Sequence, residues 1–223
     1  MKKIDFLLSF ALVFSLAAAS ADARGEVTLP KILSSHMVLQ RGRPIHLWGW
    51  ADPGEQVTAA LRSATASTQA DGLGHWSVYL PPEQAGGPYQ LTISGTNSIV
   101  LDDVLIGDVW FASGQSNMQL PLMGFPGSAV VTNGEEEIRN ANQPNLRLLH
   151  IPDKASPYPQ QDQEASWTLC TPETAASFSA AAYFFGREIA NREHVPVGLI
   201  DSSWGGTPAE AWISMDSLGA DAS

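Results

Sequence analysis

The hydrophobic pattern of the chain changes once, near Leu101, and this change limits the folds open to it. Before that point the sequence consists of short apolar stretches separated by turn residues such as Asp52-Pro53-Gly54. Stretches such as Ile45 to Trp50 and Trp76 to Leu80 alternate apolar with polar residues, as half-buried antiparallel strands do. Residues 27–101 are therefore predicted to form a small all-β sandwich domain.

After Leu101 the apolar stretches become longer and nearly continuous, as in strands buried on both faces. Three such strands are predicted: Val104 to Ala112, Leu146 to Ile151 and Val195 to Ile200. Before the last of them, apolar residues recur at helical spacing from Phe178 to Ile189. The order strand, helix, strand predicts a parallel α/β sheet in residues 102–223.

Two local features accompany the predicted helices. Thr174 or Ser177 is available to cap the long helix, and Asn133 precedes a shorter helix that begins with three glutamates. Residues 152–164, rich in Pro, Gln and Asp, are expected to form a surface loop.

The amino terminus has the pattern of a signal peptide. Lys2 and Lys3 precede an apolar run, residues 6–19, that is short for a membrane span and ends in small residues before Arg24. This pattern favours a signal peptide over residues 1–23 rather than a stable membrane anchor. The mature protein is therefore expected to be secreted or periplasmic.

Charge and cysteine content exclude several classes of function. The chain has 12 basic against 23 acidic residues, a formal net charge of −11, and no cluster of Lys or Arg. This composition argues against nucleic-acid binding and against a polybasic membrane patch. The single cysteine, Cys170, cannot form an internal disulfide and is interpreted as core, and no Cys/His spacing indicates zinc. We therefore expect no redox role and no structural metal.

A serine follows the first of the buried strands. Asp108 to Ala112 leads into Ser113-Gly-Gln-Ser-Asn-Met118, so Ser116 is predicted to lie at the carboxyl edge of the parallel sheet, where ligands bind. A serine just after a glycine can expose its hydroxyl while its N–H helps to stabilise an oxyanion. From these residues alone, Ser116 is either a nucleophile or an ordinary turn serine.

A second glycine-bearing loop follows the last predicted strand, at the same edge. Gly205 and Gly206 allow the backbone to approach a ligand closely, and either could give a second N–H to an oxyanion. The alternative is a tight connection between a strand and a helix.

These two loops resemble those of the sialate O-acetylesterase family of the SGNH hydrolase superfamily. The resemblance rests on Ser113-Gly-Gln-Ser-Asn-Met118 and Ser203-Trp-Gly-Gly-Thr-Pro-Ala-Glu-Ala-Trp212. It extends to the sandwich, through His36-Met-Val-Leu-Gln-Arg41, Gly49-Trp-Ala-Asp-Pro-Gly-Glu55, Asp71-Gly-Leu-Gly-His-Trp76 and Gly87-Pro-Tyr89.

The resemblance implies a fold and a reaction. The fold would be part of a flavodoxin-like, three-layer α/β sheet preceded by the small β-sandwich. The reaction would be removal of acetyl groups from sugar hydroxyls, with an O-acetylated sugar or glycan as substrate and with no metal or cofactor implied. Ser116 would be the nucleophile, Gly206 or else Gly205 would donate to the oxyanion, and Gln115 and Asn117 would shape the loop.

The resemblance also implies a truncated catalytic apparatus. The family has its catalytic histidine and acidic partner near the end of the hydrolase domain, and residues 1–223 are expected to lack both. The five histidines, including His150 and His194, are interpreted as structural or solvated.

Two other functions stay open. One is an acetylxylan esterase type of hydrolase, because related enzymes share the Gly-Gln-Ser-Asn loop. The other is a non-catalytic carbohydrate-binding protein, in which sugar rings would pack on Trp48, Trp50, Trp76 and Tyr89. The sequence does not indicate an oligomeric state.

Overall fold

The computed structural model describes residues 25–221, so the predicted signal peptide lies outside the described residues. Ten strands are numbered in chain order: β1 Val38–Gln40, β2 Ile45–Trp50, β3 Gln56–Leu61, β4 Ala64–Gln69, β5 His75–Leu80, β6 Gly86–Ser94, β7 Ser98–Gly114, β8 Gln143–His150, β9 Trp167–Cys170 and β10 Val197–Ser203. Five α-helices follow the same scheme: α1 Ser116–Gln119, α2 Gly134–Arg139, α3 Pro172–Ala176, α4 Ala180–Glu193 and α5 Met215–Asp221. A 3-10 helix spans Ala209–Trp212. None of the helices in this range has the length and apolar character needed to cross a membrane.

The strands form a large mixed sheet and a two-stranded sheet. The order in the large sheet is β4-β3-β6-β7-β10-β8-β9, and β1 also pairs with β7. The two-stranded sheet consists of β2 and β5. Apolar residues at alternate positions bury one face of β2, β3 and β5, as the sequence pattern predicts. Leu47 and Val78 of the small sheet share a core with Val57 and Ile93 of the large sheet. The two sheets therefore share one core in this region, and a separate all-β sandwich domain stays a prediction.

One of the proposed sugar-binding rings lies inside this core. Trp76 is only 3% exposed, and its indole N–H donates to the carbonyl oxygen of Trp50 at 3.2 Å. Tyr89 is half-buried and packs under the guanidinium of Arg62. The prediction that Trp76 offers a face to sugars is wrong, because the pairing of β2 with β5 turns this side chain toward the large sheet.

Strand β7 is the feature that joins the two kinds of sheet. Its first part pairs antiparallel with β6 and its last part pairs parallel with β10. The predicted boundary between residues 101 and 102 falls inside this 17-residue strand, so the division into two domains stays a prediction. Between the two parts, Gly107 packs so closely on Pro196 that a Cβ atom there would lie 2.0 Å from the Pro196 carbonyl oxygen. Only glycine fits this position without a backbone shift.

The parallel sheet predicted for the second half of the chain is confirmed. Strand β10 lies between β7 and β8 and is parallel to both. It begins at Val197 rather than at Val195. Strand β9, which the sequence pattern did not indicate, pairs antiparallel with β8 at the edge of the sheet.

The long predicted helix is present, but its cap is not the residue expected. Ser179 caps α4 by accepting a hydrogen bond from the Ala182 N–H at 3.2 Å. Thr174 instead completes a capping box with Thr171 on the separate helix α3. Asn133 does precede α2, but its side chain makes no capping hydrogen bond.

Helix α4 packs on the parallel strands and forms the second core. Gly186 lies against the side chain of Leu199, and Tyr183 is fully buried. Cys170 belongs to the same core, as expected, and its burial raises the pKa of the thiol to about 11. The cysteine therefore has a packing role.

Candidate active site

Ser116 lies just beyond the end of β7. The strand ends at Gly114, whose φ of +143° is a conformation that other residues rarely adopt, and Ser116 is the first residue of α1. The side chain is exposed, and its Oγ donates to Oε1 of Gln115 at 2.8 Å. The hydroxyl is therefore accessible to a ligand and oriented by its neighbour.

The loop after β10 lies beside the loop that carries Ser116. Ser203 pairs with Gly114, and the Trp204 N–H donates to the Gly114 carbonyl oxygen at 2.9 Å. A Cβ atom on Gly205 would lie 3.7 Å from Ser116 Oγ. The structure thus brings the two glycine-bearing loops into contact.

The two candidate oxyanion donors in this loop differ. The Gly205 N–H donates to Oε1 of Gln119 at 2.8 Å and is already engaged. Gly206 is exposed, with a φ of +78°, and its N–H makes no hydrogen bond within the described part of the chain. The geometry therefore favours Gly206 over Gly205 as a donor to a ligand.

Of the other predicted loop residues, Gln115 contacts Ser116 directly, whereas Asn117 is exposed and makes no side-chain hydrogen bond to any residue of the range 25–221. Sequence reasoning missed Gln119. Its amide joins the loop after β10 to the loop after β8. Oε1 accepts from the Gly205 N–H, and Nε2 donates to Asp153 Oδ2 at 2.9 Å. The sequence does place a polar residue three positions after Ser116, a spacing that brings two side chains to the same face of a helix.

A histidine and a buried carboxylate lie further along the same edge. His150 ends β8, and its Nδ1 lies 3.2 Å from Oδ2 of Asp201, which is 2% exposed. The other carboxylate oxygen, Oδ1, accepts from Ser203 Oγ at 2.6 Å. His150 is half-exposed, as expected for a solvated residue, but no sequence pattern indicated that Asp201 is its partner. No hydrogen bond joins His150 to Ser116 among the described residues.

The contact with Asp201 affects the protonation of His150. The hydrogen bond to the carboxylate is the largest cause of a raised imidazole pKa, and burial opposes it. The folded-state pKa of His150 therefore lies above its unfolded value. The contact with Asp201 stabilises the folded protein fully below the unfolded pKa, and this stabilisation is lost as pH rises through the folded pKa.

We expect His150→Gln to lower the free energy of unfolding more at about pH 5 than at about pH 9. The difference should not exceed about 1 kcal/mol, because half of the side chain is in solvent. Urea denaturation of both proteins at the two pH values measures it. In an Asp201→Asn background the pH dependence of the His150→Gln effect should disappear. Equal effects at the two pH values in the parent background would contradict the coupling.

A cleft of about 510 Å³ opens beside these loops. Its lining residues are Ile151, Pro152, Asp153, Lys154, Ala155, Ser156, Gln163, Ser202, Ser203, Trp204, Thr207, Ala211 and Trp212. The Trp212 indole N–H donates to Thr207 Oγ1 at 2.9 Å, and Thr207 Oγ1 donates to the Trp204 carbonyl oxygen at 2.7 Å. Two partly exposed tryptophans are thus fixed at the wall of this cleft. The cleft adjoins the Ser116 loop through Trp204, but Ser116 itself does not line it.

No group of three or more side chains suited to hold a metal ion occurs in residues 25–221.

Comparison with known proteins places these features in a family. The chain is 34% identical over 211 residues to the sialate O-acetylesterases of Homo sapiens and Pongo abelii, and 30% identical over 230 residues to that of Rattus norvegicus. The matches with the human and orangutan proteins cover 84% of this chain and 39% of those proteins, and the rat match covers 94% and 41%. The chain therefore spans about two fifths of the length of these relatives. No family model matches the sequence.

A solved structure is also similar. It is a carbohydrate acetylesterase from Xanthomonas citri, 38% identical, with a TM-score of 0.82 over 87% of this chain and 44% of that one. The mixed sheet and these likenesses place the chain among the relatives of carbohydrate esterases. Over most of its own length the chain is similar to sialate O-acetylesterases.

Proposed function

We propose that the chain is the nucleophile-bearing part of a carbohydrate O-acetylesterase, most similar to a sialate O-acetylesterase, within a three-layer SGNH hydrolase fold. The observation that carries the proposal is the position of Ser116. Its exposed hydroxyl lies at the end of a strand, next to the Gly205 backbone. The names of the relatives support the acetyl ester as the bond that is cleaved.

In the proposed reaction, Ser116 Oγ attacks the carbonyl carbon of an acetyl group on a sugar while a general base takes its proton. The N–H groups of Ser116 and Gly206 then stabilise the negative oxygen of the tetrahedral intermediate. Collapse of the intermediate releases the sugar hydroxyl, which takes up a proton, and leaves acetyl-Ser116. Water activated by the same base releases acetate and regenerates the serine.

The source of the base follows from the family resemblance and not from contacts in this structure. In that family a histidine with an acidic partner serves this role. The proposal therefore treats this chain as one part of the catalytic apparatus.

The cleft beside Ser116 suits a sugar. Trp204 and Trp212 offer apolar rings, while Ser156 and Thr207 carry hydroxyl groups. Lys154 also lines the cleft and would attract the carboxylate of a sialic acid, while the neighbouring Asp153 carboxylate accepts a hydrogen bond from Gln119. The signal-peptide pattern supports a location outside the cytoplasm, where such glycans would be encountered.

The test is acetate release by the purified mature chain from 9-O-acetyl-N-acetylneuraminic acid and from acetylated xylan. Faster release from the sialic acid supports the sialate-type activity, and faster release from xylan favours the acetylxylan type. Rates equal to the buffer blank on both substrates would count against esterase activity of this chain. In that case, reaction of Ser116 with a fluorophosphonate, read by peptide mass spectrometry, would test the nucleophile alone.

A further inference from the structure

A second cleft, of about 370 Å³, lies on the two-stranded sheet. It is lined by His46, Trp48, Gly49, Trp50, His75, Trp76, Ser77 and Gln161. None of these residues lines the cleft beside Ser116. It is therefore separate from the proposed esterase site.

The pleat of β2 and β5 produces this aromatic surface. Ile45 and Leu47 turn into the core, so the alternate residues His46, Trp48 and Trp50 turn outward. On β5 their partners are Tyr79, Ser77 and His75, in that order. The outer face of the small sheet thus carries a row of rings with hydroxyl and imidazole groups beside them.

Trp48 is held in place from one side. The His46 ring stacks between Trp48, at a centroid distance of 4.9 Å, and Tyr79, at 4.4 Å. Ser77 Oγ lies 2.7 Å from His46 Nε2 and fixes the imidazole in turn. One face of the indole is therefore covered, and the ring borders the cleft in a set orientation.

The spacing of the rings suits a sugar. Residues two apart on one strand are separated by about 6.6 Å, so Trp48 and Trp50 present neighbouring indole rings along one face, on which a pyranose can pack. His75, Ser77 and Gln161 are close enough to the same space to hydrogen-bond sugar hydroxyls. Gln161 is exposed and reaches this cleft from the loop between β8 and β9.

The charge of the cleft selects among glycans. No Lys, Arg, Asp or Glu lines it within the described chain, and the protein as a whole is strongly acidic. An anionic sugar would find no cation here and would be repelled by the net charge.

We propose that this cleft binds a neutral pyranose of a glycan chain and so holds the protein on polysaccharide independently of catalysis. The site differs from the one expected from sequence alone, since it uses the outward rings Trp48 and Trp50 and hydrogen-bonding groups of β5 and the loop. Trp76 also lines the cleft but is only 3% exposed, and Tyr89 does not line it.

Isothermal titration of the mature chain with xylohexaose, mannohexaose and oligogalacturonate tests the proposal. At least one neutral hexasaccharide should bind, with a change in tryptophan fluorescence, and oligogalacturonate should not. Failure of both neutral sugars at millimolar concentration, or binding of oligogalacturonate alone, would overturn it.

Variants then locate the site. Trp48→Ala should weaken binding roughly tenfold, whereas Trp110→Ala, which removes an exposed indole from β7, should leave the affinity unchanged. Because Trp48 also packs against the core, Gln161→Ala provides a second variant that removes only an exposed side chain and should weaken binding severalfold. Ser116→Ala should bind as the parent does, which separates this site from the proposed esterase. Unchanged affinity in both Trp48→Ala and Gln161→Ala would refute the assignment.

Discussion

Ser116→Ala is expected to abolish the acetate release from an O-acetylated sugar that the parent chain shows above the buffer blank, because the variant lacks the atom that attacks the acetyl carbon. The fold should be unaffected. The hydroxyl is exposed and bonds only to Gln115 among the described residues, so the free energy of unfolding should change by less than about 0.5 kcal/mol. Initial rates and urea denaturation curves measure the two effects separately.

Ser128→Ala is the matched control for this variant. Ser128 is exposed, and its side chain makes no hydrogen bond within residues 25–221. It should release acetate at the parental rate. If Ser116→Ala also retains the parental rate, Ser116 is not the nucleophile and the proposed mechanism is wrong.

Gly107→Ala is expected to destabilise the protein by about 3 kcal/mol. The added methyl group would lie 2.0 Å from the Pro196 carbonyl oxygen and 2.6 Å from its carbonyl carbon, and neither is the flexible end of a side chain. The hydrogen bond from the Asp108 N–H to the same carbonyl oxygen, at 2.9 Å, resists a shift of the strand. A loss of this size corresponds to a melting temperature roughly 6 to 12 °C lower.

Gly72→Ala provides the comparison. A Cβ atom at Gly72 meets no heavy atom within 4 Å, so the same chemical change should alter the melting temperature little. Similar melting temperatures for Gly107→Ala and the parent would show that β7 and Pro196 can move apart at little cost.

The sequence predicted those parts of the fold that depend on local pattern. Continuous apolar stretches correctly indicated β7, β8 and β10. The apolar residues of β8 and β10 are mostly buried, whereas Trp110 and Phe111 of β7 are exposed. Strand β4 was missed because the residues from Ala64 to Gln69 are small or polar and none of them is buried. The cap of α4 was misplaced because several hydroxyl residues precede the helix and local preference cannot choose between them.

Only the part of the site that follows directly after predicted parallel strands could be predicted. Both glycine-bearing loops follow parallel strands, so their meeting at one edge could be expected. The contact of His150 with Asp201 could not, because it depends on β10 lying between β7 and β8, and strand order is not encoded in any short segment. For the same reason, alternation in β2 and β5 could not show that Trp76 faces inward while Trp48 faces outward.

The continuity of β7 has a consequence for how the molecule loses its structure. The first part of β7 pairs with β6 and β1, and its last part pairs with β10. If either part unfolds, the adjoining part of the same strand loses order as well. We therefore expect a single cooperative transition in which circular dichroism of the strands and fluorescence of the tryptophans change together. A cut made between the two halves of this strand would separate regions that depend on each other for order.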